Sequence, residues 1–392
     1  MVFWKVLRKV RAWAETSPEG RAGLFDLNKQ DARERLALAG VQAPDLVEAL
    51  GTFALLVRAP GVIGAKQLAE ACHQVHEWAE ERSLLKVAML FAEAAALADP
   101  EDPARANDAG RMCRRAARDE RAATWYHRGF GLGVRTKSHQ ETIRAQIGYG
   151  NLMKDLGQHE EARRYFEKAA QRAINTGRLR QAGEAHHDLL AIAAEVGSYS
   201  QALRHVRRAL ELYPTRHPRI PYLMHDFAFV LIRRHYFSAA LTVLRQLLPV
   251  IRRPEEQLLL YGTIARAAGG ARQRDCHDEA ERKAQELIGL YQEYAPAAWI
   301  HLAEGARAFG EWHRAEEYVR MAADIAREQK NTLIERDALQ LAQKIAEREL
   351  APHEEELPNQ ERTESLIARF AARLRKWLAP KQQPGASRKG SN

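Results

Sequence analysis

An Ala recurs along this chain at a spacing far longer than a helical turn. In HEEARRYFEKAAQRA (159–173), YSQALRHVRRALELYP (199–214) and WHRAEEYVRMAADIA (312–326), an aromatic residue or His is followed three residues on by Ala. A bulky side chain comes four residues later, and a second Ala three after that. A Gly lies just upstream each time, at Gly157, Gly197 and Gly310. The first Ala serves as a marker at seven places, Ala88, Ala122, Ala162, Ala202, Ala240, Ala280 and Ala315, at intervals of 34, 40, 40, 38, 40 and 35. A period of this size describes one supersecondary unit whose apolar face only a neighbouring copy can cover, so the chain must stack its repeats.

The pattern resembles the tetratricopeptide repeat (TPR), a pair of antiparallel helices with small residues where they pass closely. The unit with Trp299, Leu302, Ala303, Gly310, Trp312, Ala315, Val319 and Ala322 fits best; those around Ala88, Ala122, Ala240 and Ala280 depart more. The resemblance implies an all-α, TPR-type α-solenoid, a right-handed superhelix of antiparallel helix pairs with helical N- and C-terminal extensions. It covers roughly residues 66–330, and the expected solenoid runs over 66–350, about seven helix pairs plus a capping helix in which Leu333, Leu339, Leu341 and Ile345 are expected inward. Residues 1–65 read as an N-terminal helical segment with a basic amphipathic first helix, although 16–44 have no clear pattern. Beyond the cap come a linker at 351–365, a basic amphipathic helix at 366–380 and a disordered tail at 381–392.

Charge separates the ends from the body. The net charge is +9, but residues 1–11 hold +4 and residues 366–392 hold +7, leaving −2 for everything between. A nearly neutral body disfavours nucleic acid as a partner, because neutralising a phosphate backbone takes cations along the whole contact surface. Three separated cysteines, Cys72, Cys113 and Cys276, point to a reducing compartment. Lys5, Arg8, Lys9 and Arg11 interrupt any apolar leader, so a cytoplasmic protein is expected, with attachment to a membrane surface as the variant.

The resemblance places binding on the concave face lined by the first helix of each pair. Asn107, Arg111, Arg114, Arg115, Asn151, Lys154, His187, His225 and Arg233 fall there and form the candidate groove for a protein or peptide partner. Clustered guanidiniums suit a carboxylate or phosphate, and an Asn suits a backbone amide. The competing reading is an Arg-rich helix face that is merely solvated. Cys72, His73 and His76 share one helix and supply too few ligands for zinc, so no metal site is expected. GFGLG (129–133) lies inside a helix and reads as close packing rather than a phosphate loop. No catalytic constellation or cofactor motif is present, and no enzyme is expected.

Two terminal stripes complete the inventory. Phe3, Trp4, Lys5, Arg8, Lys9 and Trp13 at one end and Phe370, Arg373, Lys376 and Trp377 at the other set aromatics against cations at helical spacing. They are candidates for docking on an anionic membrane, on a partner or on a second copy, with packing on the solenoid itself as the alternative. The leading expectation is a non-enzymatic interaction scaffold that holds a peptide segment and assembles a complex. One alternative is a peptide-responsive regulator, because units of about 40 residues resemble those of bacterial peptide-pheromone receptors. Another is an assembly factor at the membrane surface.

Overall fold

The computed structural model describes residues 2–25, 44–82, 84–196, 198–329, 331–352, 354–357 and 360–378, and among these the regular structure is entirely helical. The expected tail and the turn residue Gly197 lie outside the described residues. The chain forms two compact units, Met1–Ala185 and His186–Asn392.

In the first unit, α1 (Val2–Glu15) and α2 (Val47–Arg58) precede the helices α3 (Ala65–Glu81), α4 (Leu85–Ala98), α5 (Pro103–Arg115), α6 (Asp119–Arg135), α7 (His139–Asp155) and α8 (His159–Asn175). The unit boundary falls within α9 (Leu179–Glu195). The second unit continues through α10 (Tyr199–Leu212), α11 (Ile220–Arg233), α12 (Phe237–Leu247), α13 (Pro254–Gly270), α14 (Arg274–Ile288), α15 (Ala295–Ala308), α16 (Trp312–Glu328), α17 (Thr332–Ala346) and α18 (Gln360–Leu378).

Helix length explains the spacing of the markers. Helices α6 to α9 have 17 residues each and are joined by three-residue turns, which makes a 40-residue period. Helices α4 and α5 have 14 and 13 residues, which shortens the period to 34. About one helical turn is gained or lost per helix, and the stacking of neighbours is preserved.

The described three-residue turns share one geometry. After α7, the Gly157 amide donates to the Lys154 carbonyl and the Gln158 amide to the Met153 carbonyl, with Gly157 in the left-handed region at φ +75°. Two reversed bonds closing the last turn of a helix satisfy carbonyls that would otherwise be orphaned. Gly310 repeats the arrangement at φ +76°, and so do Ala117, Lys137, His235, Arg272 and Arg348, at φ between 50° and 59°. The turn thus persists in repeats whose sequence lacks the expected Gly.

Six of the seven markers occupy the fourth residue of their helix and are buried, each amide bonded to the carbonyl just before the helix: Ala88, Ala122, Ala162, Ala202, Ala240 and Ala315. Ala280 does not. In α14 the fourth residue is His277, whose amide bonds the Gln273 carbonyl in the same way. The marker therefore moves three residues. His277 is fully buried, and Gly305 of α15 makes the room: a Cβ there would lie 2.7 Å from His277 Nε2. The corrected register puts Ala284 at the second small position and Glu281 at the bulky one, where α6 and α8 carry Tyr126 and Phe166. Glu281 is 2% exposed and accepts from Tyr318 Oη at 2.5 Å and Arg314 Nη2 at 2.6 Å.

Two further expectations change. Helix α17 buries Ala338, Leu341 and Ile345, whereas Leu333 and Leu339 are exposed because they lie a helical step away from that face. The segment read as a linker is bound to the second unit: the Glu354 carboxylate accepts from the Ser238 amide (2.6 Å) and hydroxyl (2.8 Å) at the start of α12, and α18 begins at Gln360.

Candidate functional site

In the first unit the candidate residues sit on α5 and α7, and with α3, which supplies acidic partners, these are the first helices of successive pairs. Their charges are largely satisfied across the repeats. Arg105 donates to Glu70 at 2.6 Å, Arg111 to Glu80, Arg115 to Glu80 at 2.5 Å, Arg114 to Asp155 at 2.5 Å, and Arg144 to Asp108. Burial works against ionisation of Glu80, but the Arg111 hydrogen bond and the charges of Arg111 and Arg115 outweigh it and hold the carboxyl below its usual range. Asn107 is no surface group: it is 1% exposed, and its amide donates to the Glu141 carbonyl (3.0 Å) and carboxylate (2.9 Å). Gly129 of α6 lies over it, where a Cβ would sit 2.2 Å from Asn107 Oδ1, so GFGLG is packing. Asn151 is half-buried and donates to the Ile147 carbonyl, and Lys154 is half-buried with no ion pair described.

The second unit treats its candidates alike. His187 is buried, and its Nε2 lies 2.8 Å from Asp226 Oδ2. Burial opposes ionisation of Asp226, yet its hydrogen bonds to His187 and His225 hold the carboxyl well below the ordinary carboxylate range. His225 Nε2 also reaches Thr263 Oγ1 at 3.3 Å, and Arg233 pairs with Glu195 at 2.9 Å. These residues mostly tie one first helix to the next. The acids Glu80, Asp108 and Asp226 went unnoticed in the sequence. Their signal is an opposite charge one repeat away, with separations of 35 for Glu80 and Arg115, 36 for Asp108 and Arg144, and 39 for His187 and Asp226.

Among the described residues, one group of metal-type side chains converges, His277, Asp278 and Glu281. Glu281 is already engaged by Tyr318 and Arg314, and His277 Nδ1 faces Asp278 at 3.0 Å.

Residues 141–215, which span α7 to α10 and the turns between them, match the sequence pattern of the tetratricopeptide repeat family. The fold of the array is that of a TPR-type α-solenoid. No curated protein matches the sequence. Among solved structures, the anaphase-promoting-complex hetero-tetramer Cut9–Hcn1 aligns with a TM-score of 0.51 at 14% identity, over 88% of this chain and 62% of that one. A tetratricopeptide repeat protein from Parabacteroides merdae aligns at 0.47 and 16% identity, over 70% and 98%. The Rap conjugation gene regulator of plasmid pLS20, in complex with the Phr* peptide, aligns at 0.46 and 14%, over 88% and 96%. The likeness to Cut9–Hcn1 is one of fold.

Both terminal helices pack on second helices of their own unit. Helix α1 buries Val6, Leu7, Val10 and Trp13 against α2 and α4, and Trp13 Nε1 donates to the Pro60 carbonyl at 2.8 Å. Helix α18 buries Leu366, Ile367, Phe370 and Leu374 beside α10 and α12, with Phe370 6.2 Å from the ring of Phe227. Thr363 Oγ1 meets Tyr199 Oη at 2.7 Å, and Arg373 donates to the Tyr213 (3.1 Å) and Leu210 (3.0 Å) carbonyls. Trp13, Phe370 and Arg373 are therefore not membrane or partner contacts, because their apolar faces and donors are spent internally. Lys9 lies over the Phe25 ring at 4.2 Å, while Arg8 and Lys376 are exposed. The side chains of Phe3, Trp4, Lys5 and Trp377 lie outside the described residues. No described helix is long and apolar enough to cross a membrane.

Proposed function

We propose that the protein is a non-catalytic scaffold that captures an extended segment of a protein partner on the first-helix face of its first unit and so helps to assemble a complex. TPR arrays are built for this, since stacking leaves one continuous surface of parallel helices. The observation that carries the reading is an imbalance at the junction of α3, α5 and α7. Arg111 and Arg115 share the single carboxylate of Glu80, and Lys154, which precedes Asp155 on α7, has no ion pair described. Arg115 keeps 42% of its side chain exposed, so it has donors to spare. Such a surplus of donors favours an acidic side chain or terminal carboxylate of the partner, held by charge-assisted hydrogen bonds.

The test is affinity capture from the native cell by the wild-type chain and by Arg115→Glu/Lys154→Glu. Partners recovered with wild type should be lost with the variant at unchanged helical content and Tm. Equal recovery of those partners would move the binding surface elsewhere.

A further inference from the structure

The second unit contains a feature that the groove does not use. Between α10 and α18 lies a cavity of about 1020 Å³ whose walls carry Arg204, Arg207, Arg208, Arg362 and Arg369 against only two carboxylates, Glu211 and Glu361. Glu211 alone is shared by Arg207 (3.1 Å), Arg208 (3.5 Å) and Arg369 (3.5 Å). No ion pair is described for Arg204 or Arg362, and both are exposed to the cavity. The apolar stripe of α18 fixes its rotation, and this rotation turns Arg362 and Arg369 toward the three arginines of α10. Gathering five guanidiniums costs mutual repulsion that an anion between them would relieve.

We propose that this cavity binds a phosphate-bearing polyanion. Guanidiniums match phosphate oxygens in a two-pronged geometry, and converging forks from two helices suit more than one phosphate group. The volume is at the upper end for a small-molecule site, larger than a single phosphate ion needs and adequate for a nucleotide or headgroup. His186 and His205 line the same space with their Nδ1 atoms 3.2 Å apart. Burial, reinforced by Arg208 at the first and by His186 and Arg204 at the second, lowers each imidazole to about 4. They supply hydrogen-bonding groups without further positive charge. The apolar floor between α10 and α12 is already filled by α18, and the five arginines around what stays open favour a small anion over another helix. The site is distinct from the proposed groove and stands or falls separately.

Calorimetric titration of the full chain with pyrophosphate and with ATP tests it, alongside sedimentation with phosphatidylcholine vesicles containing phosphatidylinositol bisphosphate. Wild type should bind, and Arg204→Glu/Arg362→Glu should bind at least about tenfold more weakly, the effect of losing one charge-assisted contact. The milder Arg204→Gln/Arg362→Gln pair guards against misfolding and should also weaken binding. The inner-face variant Arg115→Glu/Lys154→Glu should bind as wild type does. Titration without sedimentation assigns the ligand to soluble phosphate compounds; sedimentation lost in the same variants assigns it to a lipid headgroup. Failure of wild type to bind any of the three probes, or equal binding by both Arg204/Arg362 variants, would overturn the proposal.

Discussion

At the scale of single residues, backbone conformation and close approach decide most. Ala117 adopts φ +50° in a turn where Gly157 and Gly310 serve elsewhere, and a Cβ in the left-handed region costs about 1–2 kcal/mol. Glycine relieves that strain and gives part of the gain back as chain entropy. Ala117→Gly should therefore raise stability by up to about 1 kcal/mol in urea unfolding. Helical glycines divide by surroundings. A Cβ on Gly148 would fall 2.2 Å from Tyr126 Cε1, whereas one on Gly131 meets nothing within 4 Å. Gly148→Ala should cost about 1–3 kcal/mol by overpacking, and Gly131→Ala should gain up to about 1 kcal/mol from helix propensity. Protonation adds a third effect. His186 and His205 are lowered to about 4 in the folded chain, against about 6.5 when unfolded. Because the unfolded state takes up protons first, stability should fall as the pH drops from about 6.5 toward 4. Thermal unfolding between pH 7 and 4.5 should show a smaller loss for His205→Gln than for wild type.

At the scale of elements, the two amphipathic ends have the same local solution. Each lays an apolar stripe on second helices of its own unit, α1 on α4 and α18 beside α10 and α12. A second helix has one face inside its repeat and one outside, and an added helix removes the outer apolar surface from water. Phe370 is fully buried, so Phe370→Ala should destabilise the second unit by about 3–5 kcal/mol. Arg375→Ala on the exposed side of α18 should change Tm little. A comparable drop for both would mean that the stripe is not what seats the helix. The sequence showed the stripes and their cations plainly; it did not show what covers them, because an apolar face looks the same toward lipid, a partner or the chain itself.

At the scale of the molecule, successive first helices are linked by charge pairs one repeat apart. Asp108 is 7% exposed and is met by Arg144, so Arg144→Ala should cost more than the Asp108→Asn/Arg144→Ala double variant, which removes the buried Asp108 charge together with its cation. A double-mutant cycle in urea measures the coupling, and purely additive effects would show that the pair does not join the repeats. The fold class was legible because stacking demands a periodic sequence: small residues at Ala122 and Ala162 and bulky ones at Tyr126 and Phe166 recur wherever helices cross. The departures were not legible, since His277 takes an Ala position only because Gly305, on the next helix pair, leaves space for it. The candidate site was half legible. Its cations could be read from RMCRR (111–115), but their fate could not, because Glu80 and Asp155 lie on different helices and meet Arg111 and Arg114 only after stacking. Periodicity is local along the chain, so the sequence alone determined an all-helical repeat array with charged ends. Pairing in space depends on register and helix rotation, so only the tertiary structure decided which charges are spent, where the ends pack and which arginines gather between α10 and α18.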